Sequence, residues 1–599
     1  MKVTIELAGE PGHDVPAALL GENLEAGLGR VPALLSDRLR NPKFVGPADP
    51  QTGVAPCWEP GYNTMYYDAH YQVVRGVSLS GEESQLISYH GTKLNRGIVQ
   101  AGLWLRAGET LEVELWARAQ NQPAVLRVAI RPNSGARPAY AEARIEVATG
   151  YWENYRATLA APQADPDAVF SVYVQGPGTV QLDQVHLRPA DQPLLRQDVL
   201  AAVRELGVPV LRFPGGCESA AYRWQRGIGP PHLRPALPDP IFKEIASYDF
   251  GTDEFLALCH ESGATPHITV AVGNGTPQEA ADWAAYCANW YCQRGLALPR
   301  MYWHIGNEVY GRWELGAMTA HMYARTLRAF APGIRAAYPN ARLLAIGVAE
   351  GHNDVPGYTD WRRTVLAEAA DCFDALAIQY YPGWTEALDP GEQNLFLYRA
   401  AHNTAEQVRR AIADCRAAGV DKGVAVTEWG LWIDAASHNR YREPSVTRHA
   451  LYAAAVLQQF AALAPALELA EHYHFGPIGL VQVNGPRVEL SCVGQLYRLF
   501  RRALPGRFVP LRIEAPALAE GIPAVDAICL RQPAAAWLLA VNRSPDAAAE
   551  VSVDDCGSVV EAATLAGKDA VSPMHALTPR NAANRVEIPP LSVTRIEFA

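Results

Sequence analysis

Between positions 194 and 475 the chain alternates amphipathic helical stretches with short apolar runs, and nothing else in it constrains the fold as much. LLRQDVLAAVRELG is followed by VPVLRFPGG, and a helix predicted over 250–263 by TPHITVAVG. A helix over 277–294 leads into RMYWHIGNE, and one around 320–337 into ARLLAIGVAE. Helices around 361–370, 404–418 and 446–464 precede FDALAIQYY, KGVAVTEWG and LELAEHYHF. Counted with the buried run ALLGENLE near the start, this makes eight strand-like segments, most of them followed by a helix. A right-handed crossover lays each new strand parallel to the last, so eight such units predict a (β/α)8 barrel.

The remainder reads as β-structure. From about 60 to 190, short alternating segments (103–105, 110–117, 124–130, 143–147, 154–159, 169–175, 179–187) are separated by Gly, Pro and Asn, the pattern of a β-sandwich of jelly-roll type. Lying between the first and second barrel strands, it is an insert in the first connection. Past residue 505 the chain is strand-like again, and the alternation Val3, Ile5, Leu7 predicts an N-terminal strand that completes this last sandwich. The expected division is therefore 1–15 with the C-terminal sandwich, 16–54 and 191–504 as the barrel, 55–190 as the insert and 505–599 as the terminal sandwich. Trp104, Trp116, Trp152 and Tyr155 in the insert suit sugar stacking, but aromatic residues on strands more often fill a core, and core is the reading preferred for most of them.

Charge and cysteine use narrow the function classes. A net charge of −11 with no basic run argues against nucleic acid and against anionic membrane surfaces. No stretch of eighteen apolar residues predicts a membrane span. The opening MKVTIELAGEPG lacks the apolar core of a signal peptide, so a cytoplasmic location is expected. The 10 cysteines show no ladder of spacings, and Cys287 and Cys292 fall in a helical pattern unsuited to a zinc knuckle. No metal and no cofactor is expected; His472, Tyr473 and His474 invite a metal reading without a third ligand at suitable spacing.

In a barrel of this kind the active site gathers at the C-terminal strand ends. The polar residues there are Glu25, the PGG turn followed by Cys217 and Glu218, Asn274, the pair Asn307–Glu308, Glu350, Gln379 with Tyr381, Glu428 with Trp429, and 471–474. The carboxylates on strands four and seven are expected to face each other across the mouth. One protonated and one ionised carboxyl, roughly 5 Å apart, is the arrangement of a retaining glycosidase; roughly 6.5–9.5 Å would admit water and invert. Each has a plainer reading as well: Glu308 as a strand-end residue paired to an arginine, Arg212 as a barrel-interior charge before a tight turn, Glu25 and Glu350 as structural groups.

Several stretches together resemble glycoside hydrolase family 51, the α-L-arabinofuranosidases, in the longer form with an inserted carbohydrate-binding-like module. They are LLGENLEAGLGRVPALLSDRLRNPKF, LRQDVLAAVRELGVPVLRFPGGCESAAYRWQRGIGP, YDFGTDEFLALCHESGATPHITVAVGNGTPQEAADW, YWHIGNEVYGRWELG, VAVTEWGLW and the close of the insert, GPGTVQLDQVHLRPAD. The resemblance implies Glu308 as general acid/base, Glu428 as nucleophile and Asn307 on the sugar 2-hydroxyl. It further implies Glu25 on other furanose hydroxyls, Tyr381 orienting the nucleophile, and Cys217, Gln379 and Trp429 at the pocket. It implies retention, no cofactor, an arabinofuranose-containing oligo- or polysaccharide as substrate, and a homo-oligomer by analogy. The chain departs from the family pattern with TEWG for DEWN, Gln379 for a frequent His, and Val309–Tyr310 after the Asn–Glu pair. These departures concern the pocket wall, and they keep open another glycosidase on the same barrel (a galactofuranosidase, or an endo-acting glucanase or xylanase) and a non-catalytic carbohydrate-binding protein.

Overall fold

A computed structural model of the 599-residue chain describes all residues except 27–30, 62–67, 80–81, 92–95, 134–137, 149, 242–244, 350–359, 385–389, 434–445, 474–478, 555–556, 580 and 583. Its centre is a closed parallel barrel of eight strands. They are β1 (Gly21–Asn23), β2 (Val210–Phe213), β3 (Thr265–Val270), β4 (Met301–Ile305), β5 (Ala341–Ile346), β6 (Ala375–Tyr380), β7 (Gly423–Trp429) and β8 (Leu467–His472). Neighbours pair in chain order, and β8 closes onto β1 through the partners Glu471–Gly21 and His472–Glu22.

The helices form where the periodicity places them, because capping residues bound them. α1 (Gln197–Leu206) ends at Gly207 and α2 (Thr252–Ser262) at Gly263, both glycines with positive φ. α3 (Pro277–Gln293) starts with Thr276 accepting from the Glu279 amide and Pro277 in the first turn; α4 (Ala320–Ala337) starts with Thr319 accepting from the Met322 amide. α5 (Trp361–Ala369), α6 (Pro390–Ala417) and α7 (Thr447–Leu463) complete the predicted set. Two features differ from the sequence reading. α6 begins 14 residues earlier than expected, at Pro390 instead of 404. After β8 come a short hairpin (Val481–Asn484, Arg487–Leu490) and a further helix, α8 (Cys492–Arg501), before the terminal sheets.

The insert consists of two five-stranded sheets, among them Ala69–Arg75 and Glu83–Tyr89, strands the sequence pattern did not reveal. Its aromatic residues take a role between the two anticipated. Trp104 is half-buried with the Arg38 guanidinium 3.0 Å above its ring and Gly485 of the barrel hairpin against it, and Trp116 packs on His232 at 5.1 Å. These two tryptophans fasten the insert to the barrel. The N-terminal strand Lys2–Leu7 pairs with Leu511–Glu514 and Ala549–Asp554, inside the C-terminal β-structure.

Candidate active site

β4 ends at Ile305, and the chain turns at once. Gly306 has φ 86° and Glu308 φ 40°, two left-handed conformations within three residues. For glutamate this costs about 1–2 kcal/mol, and such outliers gather where function over-determines them. At Gly306 a Cβ would lie 2.7 Å from Val272, so the position also demands glycine for space. The turn is held by the Gly311 amide donating to the Glu308 carbonyl at 2.7 Å. It presents the half-buried Glu308 carboxyl with both oxygens engaged: the Tyr310 hydroxyl donates to Oε1 and Trp313 Nε1 to Oε2, each at 2.8 Å. The Trp313 ring is 43% exposed, at the rim.

Three strands away, β7 delivers Glu428 into a buried ring of donors. Arg212 Nη1 donates to Oε1 at 2.6 Å, Gln379 Nε2 to the same oxygen at 2.9 Å, and the Tyr381 hydroxyl to Oε2 at 2.6 Å. Burial pushes the Glu428 carboxyl up to about 7. Arg212 and the Tyr381 bond oppose that rise, while the charges of Glu308 and Glu25 add to it. Three donors converging on one carboxyl make the surroundings of a carboxylate, held ready but not deeply stabilised.

Asn307 joins the two halves. Its Oδ1 accepts from Arg212 Nη2 and from Gln379 Nε2, each at 2.8 Å, and its Nδ2 donates to Glu314 Oε1 at 2.9 Å. Arg212 is wholly buried and also donates to Thr269 at 2.9 Å, so one guanidinium fixes β2, β3, the end of β4 and β7.

The PGG turn after β2 allows these groups to approach. Gly215 has φ 116°, and a Cβ on it would lie 2.7 Å from the Glu25 side chain; a Cβ on Gly216 would lie 2.5 Å from Glu428 Oε1. Glu25 is anchored by the Leu24 amide on the Arg212 carbonyl (2.7 Å) and the Ala26 amide on the Pro214 carbonyl (2.8 Å). Its Oε2 accepts from the Tyr473 hydroxyl, and the Tyr473 ring meets Tyr381 edge-on at 5.9 Å. Cys217 follows the turn, half-buried, its thiol pushed up by burial and by the carboxyls of Glu314, Glu308 and Glu25.

Glu25, Cys217, Asn307, Glu308, Gln379, Tyr381 and Glu428 thus belong to one connected site. Trp429 does not line it. Its side chain is fully buried on the outer side of β7, edge-on to Phe460 at 5.6 Å and to His472 at 4.9 Å, because adjacent residues of a strand point to opposite faces. Asn274 is held elsewhere, its carbonyl accepting from Arg223. Glu471 and His472 lie in the barrel interior and wall, Glu471 hydrogen-bonded with His267 Nδ1 at 2.8 Å. Glu350 and His474 lie outside the described residues.

The structure adds Glu314, which strand-end reasoning missed, and makes Tyr310, Trp313 and Tyr473, aromatic residues near the strand ends, hydrogen-bond donors to the carboxyls. Glu314 is 5% exposed, and burial, with the Glu308 charge adding, pushes its carboxyl up to about 8. That favours the neutral acid near pH 7, and the site gathers four carboxyls, Glu25, Glu308, Glu314 and Glu428, around the buried Arg212 guanidinium.

Comparison with known proteins fits this geometry. Residues 202–380 match the family model described as the alpha-L-arabinofuranosidase 1 domain. A probable alpha-L-arabinofuranosidase C of Aspergillus fumigatus is 36% identical over 168 residues, 26% of this chain and 33% of its own length. Alpha-L-arabinofuranosidase C of Emericella nidulans is 31% identical over 262 residues, 41% of this chain and 52% of its own. The matches thus span about a third to a half of these relatives. Among solved structures, an alpha-L-arabinofuranosidase of Thermotoga maritima in its arabinose complex superposes with a TM-score of 0.56 at 25% identity, covering 67% of this chain and 90% of that one. By family match and fold together, the chain is similar to alpha-L-arabinofuranosidases of family 51.

Proposed function

We propose that this family 51-like chain is a retaining glycoside hydrolase that releases terminal α-L-arabinofuranosyl residues from arabinan- or arabinoxylan-type oligo- and polysaccharides. The observation that carries the reading is the division of labour between two carboxyls. Glu428 is gripped by Arg212, Gln379 and Tyr381, and Glu308 is held at the rim by Tyr310 and Trp313.

Glu428 attacks the anomeric carbon as a carboxylate while Glu308 gives its proton to the departing glycosidic oxygen. The covalent glycosyl-enzyme then forms through one Glu428 oxygen. Arg212 and Gln379 on Oε1 and Tyr381 on Oε2 keep the carboxylate from rotating during the attack. In the second half Glu308, now ionised, takes a proton from the water that attacks the same carbon from the leaving-group side, and the sugar leaves with its configuration retained. Asn307 spends one amide N–H on Glu314 and directs the other to the sugar 2-hydroxyl, a contact that strengthens as positive charge grows at the neighbouring carbon. Glu25, steadied by Tyr473, takes further hydroxyls of the furanose.

A panel of aryl glycosides (arabinofuranoside, galactofuranoside, xyloside, glucoside) tests the assignment. Arabinofuranoside turnover should dominate, with the retained anomer as the first product seen by NMR. No furanoside turnover, or the inverted anomer first, would overturn it.

A further inference from the structure

The pocket holds a second donor set, of which the hydrolytic reading uses Glu308 in catalysis but gives Cys217 no role. The Cys217 sulfur and one oxygen each of Glu308 and Glu314 all lie within 4.8 Å of one another. They come from different places in the fold: Cys217 from the turn after β2, Glu308 from the end of β4, Glu314 from the turn beyond it. Asn307 occupies one oxygen of Glu314. The other, Oε2, is buried with no N–H or O–H donor on it, and its one near donor is the weak S–H of Cys217. A thiol donor offsets little of the cost of burying an acid oxygen.

We propose that Cys217, Glu308 and Glu314 form a binding site for a thiophilic divalent cation of the zinc and cadmium class, and that filling it shuts the enzyme off by sequestering the acid/base carboxyl. One sulfur and two carboxylate oxygens suit zinc-like ions; magnesium and calcium favour all-oxygen shells. Around a tetrahedral zinc, sulfur and oxygen ligands stand about 3.6 Å apart, so side-chain rotation alone brings the three donors in. The fourth position faces the pocket and takes water. Binding displaces the Cys217 thiol proton and any protons on the two carboxyls to solvent, with no change of oxidation state. The site therefore tightens as pH rises. The cation enters from the substrate side, since Cys217 and Glu308 are both half-buried there. Inhibition is thus competitive with substrate; this arm rests on Glu308 being the acid/base, whereas occupancy of the site does not.

The test uses full-length protein in which the exposed Cys57 and Cys292 are replaced by Ser, so that Cys217 is the accessible thiol among the described residues. Titration with Co2+ without oxygen should give a thiolate-to-cobalt charge-transfer band that saturates at one equivalent. The band should vanish in Cys217→Ser and need at least about tenfold more metal in Glu314→Gln, with circular dichroism checking that both variants are folded. Zn2+ should inhibit the parent competitively, Mg2+ and Ca2+ should not, and Glu314→Gln should raise the zinc inhibition constant by the same factor. Absence of the cobalt band in the folded parent overturns the site, as does a band unchanged in Glu314→Gln. A band without zinc inhibition overturns the shut-off. A cobalt band in a protein that turns over none of the aryl glycosides would sink the hydrolase reading and leave the metal site standing.

Discussion

Arg212 Nη1 and Glu428 Oε1 stand 2.6 Å apart inside the barrel, with the guanidinium fully buried and the carboxyl 6% exposed. A pair like this is weak evidence for stability, but removing one partner leaves a buried charge alone, at about 3–5 kcal/mol. Arg212→Met should therefore lose most turnover and also lower the melting midpoint, whereas Glu428→Gln, which keeps an acceptor for the guanidinium, should lose turnover with a smaller shift. Thermal unfolding beside single-substrate kinetics separates the two.

The acid side of the pH profile should be set by Glu428. As the proposed nucleophile, Glu428 must be ionised, and its carboxyl lies at about 7, so kcat/KM should fall as pH drops through that region. The Tyr381 hydroxyl bond favours the ionised form. Tyr381→Phe should therefore move the acid limb to higher pH as well as lower the maximum. A limb that stays in place would remove Glu428 as its source.

Glu308→Ala should cut turnover about 10²–10⁴-fold on a natural arabino-oligosaccharide, and far less on an aryl arabinofuranoside whose leaving group needs little protonation. Equal losses on the two substrates would remove Glu308 from the acid role.

Gly216→Ala places a methyl 2.5 Å from Glu428 Oε1. The three heavy atoms nearest that methyl all belong to the Glu428 and Glu25 side chains, so the contact falls on the two carboxyls. A displacement of about 1 Å costs on the order of 10²-fold in rate. kcat should drop by at least about that factor, read in single-substrate kinetics on folded protein.

Glu314 carries a folded-state value of about 8 against 4.5 for an ordinary glutamate. Above pH 4.5 the unfolded chain gives up this proton and the folded chain keeps it. The neutral group's contribution to stability is thus complete below 4.5, declines as pH rises, and is gone above about 8. Glu314→Gln removes the dependence, so it should gain on the parent by a few kcal/mol between those limits in denaturant titrations at stepped pH. A constant difference would mean that Glu314 is not a buried neutral acid.

The barrel and the two carboxylates Glu308 and Glu428 were legible because both signals are local. Helix and strand periods repeat in register, and each glutamate ends an apolar run that would not otherwise hold a charge. Trp429 was misplaced because adjacency in sequence suggested a shared pocket, while strand alternation sends it to the helix layer. Glu314 was invisible for the opposite reason: it lies in an irregular turn, and folding, not sequence, makes it buried and neutral. Arg212 read equally well as a structural charge, and it is one, since the same guanidinium that fills the barrel also fixes Asn307 and Glu428. Hairpin 481–490 and α8 escaped notice because eight units had already completed the pattern.

The three-residue strand β1 has a kinetic corollary. Its partner β8 lies some 450 positions downstream, and Tyr473 on Glu25 spans a sequence separation of 448. The other neighbour, β2, lies only about 190 positions on, so it is the pairing with β8 that closes the ring last, and loop closure over such distances is slow. The surroundings of Glu25 are thus among the last parts of the fold to settle. Onset of turnover during refolding should therefore trail the recovery of helical signal, marking the moment the ring closes.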